Sequence, residues 1–339
     1  MTRLTRNRRT GLSNPLLHVE DLSVGFRLDQ GTVAVTDSVS FDIDEGEVFG
    51  LAGESGCGKT ITALALLRLL PKPGSMILSG KILFKGIDVL ALSLPQLRDF
   101  RGREISMIFQ EPSAALNPLL PVSKQMHELF EYHRAADRPA ERIREILNRV
   151  GFPDPDRILN AYPHELSGGM LQRIMIAMAV VLRPSLIIAD EPTTALDVTV
   201  QAQIMELLYE MQQATGTSVL LITHNLCLIA QYAKRIAIMY AGRIVEHGEC
   251  GVFLDKPLHP YSQGLLRALP DLRSDDPTLV PIPGQVPQPI DYAIGCRFID
   301  RCPHAFAPCK NKPPLYSSHR RLVACFLYED KKNSKGSKY

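Results

Sequence analysis

An α/β fold around a mostly parallel sheet, with an antiparallel β layer before it and an appendage after it, is predicted by three observations. The run Gly53-Glu54-Ser55-Gly56-Cys57-Gly58-Lys59-Thr60 fits the pattern GxxxxGK[ST] without a mismatch, between the apolar run Val48 to Ala52 and the apolar, helix-like run Ile61 to Leu67. Apolar runs alternate with helix-period segments from Leu166 to His224, as βαβ units require. Near the end the composition changes: a proline-rich stretch, Leu269 to Pro289, precedes Cys296, Cys302, Cys309 and Cys325, four of the seven cysteines.

Taken in order, Arg3, Arg6, Arg8 and Arg9 lead into no hydrophobic segment, so residues 1–15 read as a basic disordered tail and not as an export signal. Leu17 to Glu20, Leu22 to Val24 and Val33 to Ile43 read as strands, broken by turns at Asp29-Gln30-Gly31 and Glu45-Gly46. A helix over 59–70 ends at Pro71-Lys72-Pro73-Gly74. Lys81 to Val89 reads as a strand pair turning at Lys85-Gly86, and Glu104 to Gln110 as a further strand. A loop, Pro112 to Pro118, enters a helical region from about Ser123 to Arg149, where Ile143, Ile146, Leu147 and Val150 share one face. This marks a helical subdomain, about residues 111–170, inserted in the core. The glycine-rich turn Leu166 to Arg173 opens a helix to about Leu182. Ser185 to Glu191 is a strand ending in two carboxylates, followed by a helix from Thr199 to Ala214, the strand Ser218 to Thr223, and His224. A hairpin, Arg235 to Gly248, closes a main domain over 16–250. Residues 251–339 form a regulatory or structural extension whose basic end, Lys331 to Tyr339, is expected to fray.

The bulk numbers exclude several classes. Apolar residues make up 45% of 339, and 38 basic residues face 36 acidic ones, so nothing points to a nucleic-acid partner. The longest apolar run, Ile174 to Leu182, falls far short of the ~20 residues that cross a bilayer, so any work at a membrane is done by docking. With no export signal, the cysteines argue against a disulfide framework.

The chemistry starts at residues 53–60. Glycines let consecutive backbone N–H groups turn inward around phosphate oxygens, and the helix N-terminus adds positive potential. Lys59 reaches the β- and γ-phosphates of a nucleotide and Thr60 ligates Mg²⁺. Asp190, at a strand end, is placed for the Mg²⁺ shell, and Glu191 for orienting or deprotonating an attacking water. Either acid alone is ordinarily a helix cap; the pair in register with a phosphate loop is a site. Ser167, Gly168 and Gly169 make a second anion cradle at a helix start. One chain has little use for two cradles on one triphosphate, so a head-to-tail pair of subunits is expected, each loop facing the other's Leu-Ser-Gly-Gly turn.

The phosphate loop, Gln110, Leu166 to Gly169, Asp190-Glu191, Ala195-Leu196-Asp197 and His224 together resemble the ATP-binding cassette (ABC) ATPases, in the right order over nearly all of residues 16–250. The resemblance implies a P-loop NTPase with a RecA-like core, and an ATP sandwich dimer that closes on two nucleotides and reopens after hydrolysis. It also implies roles: Phe26 stacks on adenine, Gln110 senses Mg²⁺ and water, and Asp197 contacts across the dimer. Glu191 is the general base and His224 the γ-phosphate clamp. Phe109-Gln110-Glu111-Pro112, Leu116-Asn117-Pro118, His259-Pro260-Tyr261-Ser262 and Pro283-Gly284-Gln285-Val286-Pro287 bring it nearer the peptide and nickel importers, and there the D-type subunit of dipeptide/oligopeptide permeases. That branch implies uptake of short peptides, with a non-identical F-type ATPase, two transmembrane permease subunits and an extracytoplasmic peptide-binding protein as partners. It places the chain at the cytoplasmic face of the inner membrane. Importers of nickel, glutathione or antimicrobial peptides share these motifs. An ABC ATPase working on nucleic acid or ribosomes is the alternative from another class; one cassette and near-neutral charge speak against it. Leu171, Asn225 and the Cys57/Thr60 pair depart from common family residues, and Thr60 keeps the hydroxyl that Mg²⁺ needs.

The spacing C-x5-C-x6-C-x15-C lacks the paired CxxC arms common in zinc sites. By chemistry alone the thiols suit a [4Fe–4S] cluster, zinc or no metal. The resemblance to peptide-importer ATPases implies the cluster, acting as a staple for an extension with few large apolar residues.

Overall fold

The computed structural model describes residues 14–29, 31–133, 138–194, 196–268, 281–319 and 321–329. Most of the expected basic tail, most of the proline-rich stretch and the basic end lie outside the described residues.

Two sheets carry the fold. The first is antiparallel, in the order β2-β1-β4-β5, from β1 (Leu17–Leu28), β2 (Gly31–Ile43), β4 (Ser75–Phe84) and β5 (Ile87–Asp88). The separate short runs expected at 17–24 are one strand with a bulge: the pairing with β2 shifts between Val19 and Leu22, and Asp21 takes a φ of 47°. Gly80 lies against the bulge, where a Cβ would stand 2.5 Å from the Leu22 Cα.

The second sheet has the order β11-β12-β10-β9-β3-β8-β7-β6. Its parallel part is β3 (Val48–Ala52), β6 (Ile105–Ile108), β7 (Leu186–Asp190), β8 (Ser218–Thr223) and β9 (Arg235–Tyr240). Antiparallel β10 (Arg243–Glu249), β12 (Arg321–Val323) and β11 (Tyr316–Ser318) extend one edge, so the C-terminal extension adds strands to the main sheet. β3, β7 and β8 are buried along their whole length, as continuous apolar runs in a covered parallel sheet should be. Alternate residues of β8 face opposite cores. Val219 and Leu221 pack with the helices, while Leu220 and Ile222 pack with the β layer.

The helices are α1 (Lys59–Leu66), α2 (Leu94–Arg103), α3 (Pro112–Ala115), α4 (Val122–His133), α5 (Pro139–Arg149), α6 (Pro155–Asn160), α7 (Gly168–Val180), α8 (Val198–Thr215), α9 (Leu226–Tyr232), α10 (Cys250–Asp255) and α11 (Pro260–Arg267). α1 stops four residues before the expected end. Arg68 adopts φ 51°, its N–H donates to the Ala65 carbonyl and that of Leu69 to Leu64, the two bonds of a Schellman cap. α3 to α6 lie between β6 and β7 in sequence; Pro112–Ala115, expected as loop, makes one helical turn started by its proline.

Candidate nucleotide site

Because β3, β6, β7 and β8 are parallel, the residues that follow them leave from one edge of the sheet. Gly53, Gln110, Asp190-Glu191 and His224 therefore meet there. In the loop after β3, Gly53, Gly56 and Gly58 have φ of 155°, 79° and 106°, and a Cβ on Gly53 would stand 2.1 Å from the Met239 carbonyl oxygen. Cys57 is buried, its N–H donating to the Glu54 carbonyl (3.3 Å) and its carbonyl accepting from Gly242 (2.8 Å). Burial pushes its thiol up, which keeps it an inert packing group. Lys59, only 5% exposed, donates from Nζ to the carbonyls of Gly53 (2.9 Å) and Glu54 (3.1 Å). Ser55, Gly56 and Thr60 are exposed.

Asp190 is 1% exposed and its Oδ1 has no hydrogen-bond partner, while the Thr60 hydroxyl lies beside its carboxylate and favours the ionised form. Burial raises its acid to about 6, helped by the neighbouring Glu191 charge and opposed by Thr60 and Lys59. A buried, unpaired carboxylate oxygen beside a hydroxyl is the donor set of a hard divalent cation, so these residues fit Mg²⁺.

Glu191 stands at φ 46° with its N–H bonded to the Ile222 carbonyl (2.8 Å), a left-handed conformation that aims its side chain across the strand ends. Its carboxylate accepts from Thr194 Oγ1 (2.8 Å) and Gln110 Nε2 (3.3 Å), and His224 Nδ1 lies 3.2 Å away. Burial works to raise its acid, but the bonds from Thr194 and His224 and the nearby Lys59 charge outweigh it, leaving the pKa below the usual carboxylate range. Thr194 was not anticipated; a hydroxyl three residues after a strand-end carboxylate was the available signal.

The remaining candidates are carried by other elements. Phe26 is half-buried near the end of β1, paired with Val33 and Ser75. Ser167 caps α7, its hydroxyl accepting from the Met170 N–H (3.4 Å), with Gly168 and Gly169 as the first helical residues. Asp197 caps α8, accepting from Val200 (3.0 Å). Ala195 lies outside the described residues. α7 packs on α3, α5, α8 and β6, while α1 packs on β1, β2 and β7, so the two glycine-rich helix starts belong to different neighbourhoods.

In the extension, Cys296, Cys302, Cys309 and Cys325 line one small apolar cavity with His259, Phe298, Phe306 and Phe326. Each of Cys296, Cys302 and Cys325 has its thiol raised by burial and then by the charges of its fellow cysteines. Among the described residues, no group of three or more Cys, His, Asp or Glu stands close enough to hold a single metal ion.

Two families match the chain: "ABC transporter" over residues 36–194, and "Oligopeptide/dipeptide transporter, C-terminal region" over 245–309. A probable peptide ABC transporter ATP-binding protein of Sinorhizobium fredii is 45% identical over 90% of this chain and 93% of its own length. The dipeptide transport ATP-binding protein DppD of Escherichia coli is 45% identical over 88% of this chain and 92% of its own, and DppD of Bacillus subtilis 44% over 93% and 96%. Among solved structures, the dimeric ATP-binding cassette MJ0796 in a post-hydrolysis state with ADP and Pi is similar at a TM-score of 0.61 and 26% identity, covering 69% of this chain and 98% of that one. Similar too is cbiO1 of Clostridium perfringens, part of a cbiONQ transporter complex, at 0.61 and 25%, covering 72% and 92%.

Proposed function

Because the chain belongs to the ABC transporter family of peptide-import ATP-binding proteins, we propose that its edge site is half of an ATP pocket, completed by a second ATPase subunit. The chain is the ATP-hydrolysing subunit of a peptide importer. It is the D-type member, and its partner is a non-identical F-type paralogue. It works at the cytoplasmic face of the inner membrane against two permease subunits, and an extracytoplasmic binding protein delivers the peptide. Among the described residues no helix is long and apolar enough to cross a membrane.

The loop N–H groups of Gly53, Ser55, Gly56, Cys57 and Gly58 cradle the phosphates, Lys59 neutralises the β- and γ-oxygens, and Phe26 stacks on adenine. Thr60, Asp190 and Gln110 hold Mg²⁺, which when bound offsets charge on the phosphate oxygens. Glu191, ionised at neutral pH and held on three sides, orients the attacking water and takes its proton; His224 clamps the γ-phosphate. Ser167, Gly168, Gly169 and Asp197 serve the nucleotide bound by the partner. The observation that carries this reading is the Glu191 carboxylate, gripped by Thr194, Gln110 and His224 beside buried Asp190. Glu191→Gln is expected to keep ATP affinity while turnover falls by about 100-fold or more; turnover like the parent's removes Glu191 as the base.

A [4Fe–4S] cluster on Cys296, Cys302, Cys309 and Cys325 is supported by four thiols lining one apolar cavity, which meets the ligand count of such a cluster. Bound, it acts as a covalent-strength staple of the extension. Iron analysis of the anaerobically purified protein should give about four irons per chain and a brown colour; stoichiometric zinc in a colourless protein would refute it.

A further inference from the structure

The C-terminal extension grips the phosphate loop at one residue, Glu54. The Glu54 N–H donates to Tyr261 Oη (2.9 Å). Its carboxylate takes both terminal nitrogens of Arg301, at 2.8 Å to Oε2 and 3.1 Å to Oε1, the bidentate fork that fixes two planes against each other. Its carbonyl accepts from Lys59 Nζ (3.1 Å). Glu54 is thus the link between the extension and the lysine that meets the nucleotide.

Arg301 is itself held on every side. Its side chain is 6% exposed, its Nε donates to the Pro283 carbonyl (2.8 Å), and its guanidinium lies 5.7 Å from the Tyr240 ring and 5.9 Å from that of Phe298. Tyr240, Tyr261 and Phe298 pack together beneath it, with ring centroids 4.6 to 5.4 Å apart. The residue ends a short 3-10 turn (Ile299–Arg301) set between two of the cavity cysteines: Ile299 donates to the Cys296 carbonyl (3.1 Å), and Cys302 is next in the chain. The arrangement of the cysteine segment therefore decides where this guanidinium stands.

We infer that Arg301, with Tyr261, is a positioning residue for ATP binding: through Glu54 it sets the phosphate loop and Lys59, and so makes nucleotide affinity depend on the fold of the cysteine-bearing extension. A purely structural ion pair would add stability and leave ATP recognition alone. A positioning pair shifts affinity and leaves the chemical step at saturation unchanged.

The test uses the full chain, the fluorescent nucleotide mant-ATP with Mg²⁺, and circular dichroism to confirm folding. Arg301→Leu is expected to raise the dissociation constant about 10-fold, the size of a lost charge-assisted hydrogen bond. The ATPase KM should rise alongside, with kcat near that of the parent. Arg301→Lys should recover part of the loss, since an ammonium cannot bridge both carboxylate oxygens. Glu54→Gln, at a half-exposed position, should reproduce the shift even if Arg301→Leu fails to fold, and where both fold the double variant should be no weaker than either single one. Affinities within about twofold of the parent in the folded single variants, or additive effects in the double, would overturn the inference. Failure of the parent chain itself to bind mant-ATP, matching Lys59→Ala, would instead overturn the nucleotide-site reading and this inference with it.

Discussion

Glu246 brings a carboxylate to complete burial on β10, where its oxygens accept from the N–H groups of Leu258 (2.9 and 3.1 Å) and His259 (2.8 Å) and from Arg321 (3.1 Å), itself 2% exposed. Burial pushes its acid up, and those bonds oppose the rise. Arg321→Leu leaves the carboxylate with backbone donors alone, so unfolding free energy in denaturant titration should fall by about 3–5 kcal/mol. The paired change Glu246→Gln with Arg321→Leu should cost less, because no buried charge is left behind. Nothing in the run Ile244-Val245-Glu246-His247 sets this glutamate apart from a solvent-facing strand residue. Its partner is 75 positions away. The residues we propose for the nucleotide could be picked out for the opposite reason: phosphate chemistry favours Lys59-Thr60 and Asp190-Glu191 as adjacent pairs, each at the end of its own short local pattern. Arg301 and Tyr261 act from outside that spacing, and only the unexplained His-Pro-Tyr-Ser run marked one of them.

At the scale of the element, regular strands with buried flanks were readable, and what was missed was short or terminated by geometry. β8 matches the expected Ser218 to Thr223 because all six residues are buried. β11 and β12 have three residues each and no periodicity to detect. α11 shows how a cap can hide in a motif. The His259 ring nitrogen accepts from the Tyr261 N–H (3.0 Å) at its start, and burial drives that imidazole down to about 3 from its ordinary 6.5. The sign follows: below pH 6.5 the unfolded chain takes a proton that the folded chain refuses, so stability is full above 6.5 and declines as pH falls towards 3. The slope from this group is about 1.4 kcal/mol per pH unit. His259→Asn keeps an acceptor for the cap and has no such titration, so a series of denaturant melts between pH 6 and 4 should show a flatter decline by about that slope.

At the scale of the molecule, the order of layers was legible because each follows from local pattern: alternation before the phosphate loop, helical period in the insertion, continuous apolar strands in the core. How the extension joins the rest was not, since it depends on pairs such as Glu54 with Arg301 and Asp37 with Arg297 and Lys312, drawn from distant parts of the chain. The Asp37 acid is held well below the usual range: burial would raise it, and the bonds from Lys312 and Arg243 overcome that. One consequence lies in the order of synthesis. β12 pairs with β10 through Glu246 and Val323, so this side of β10 is covered by residues made long after it. While a ribosome is still adding the cysteine segment, β10 has only β9 beside it and an open row of backbone groups on its other side. The nascent cassette is exposed to strand-edge association until β12 has been made, and that three-residue strand is the stopper that ends the interval.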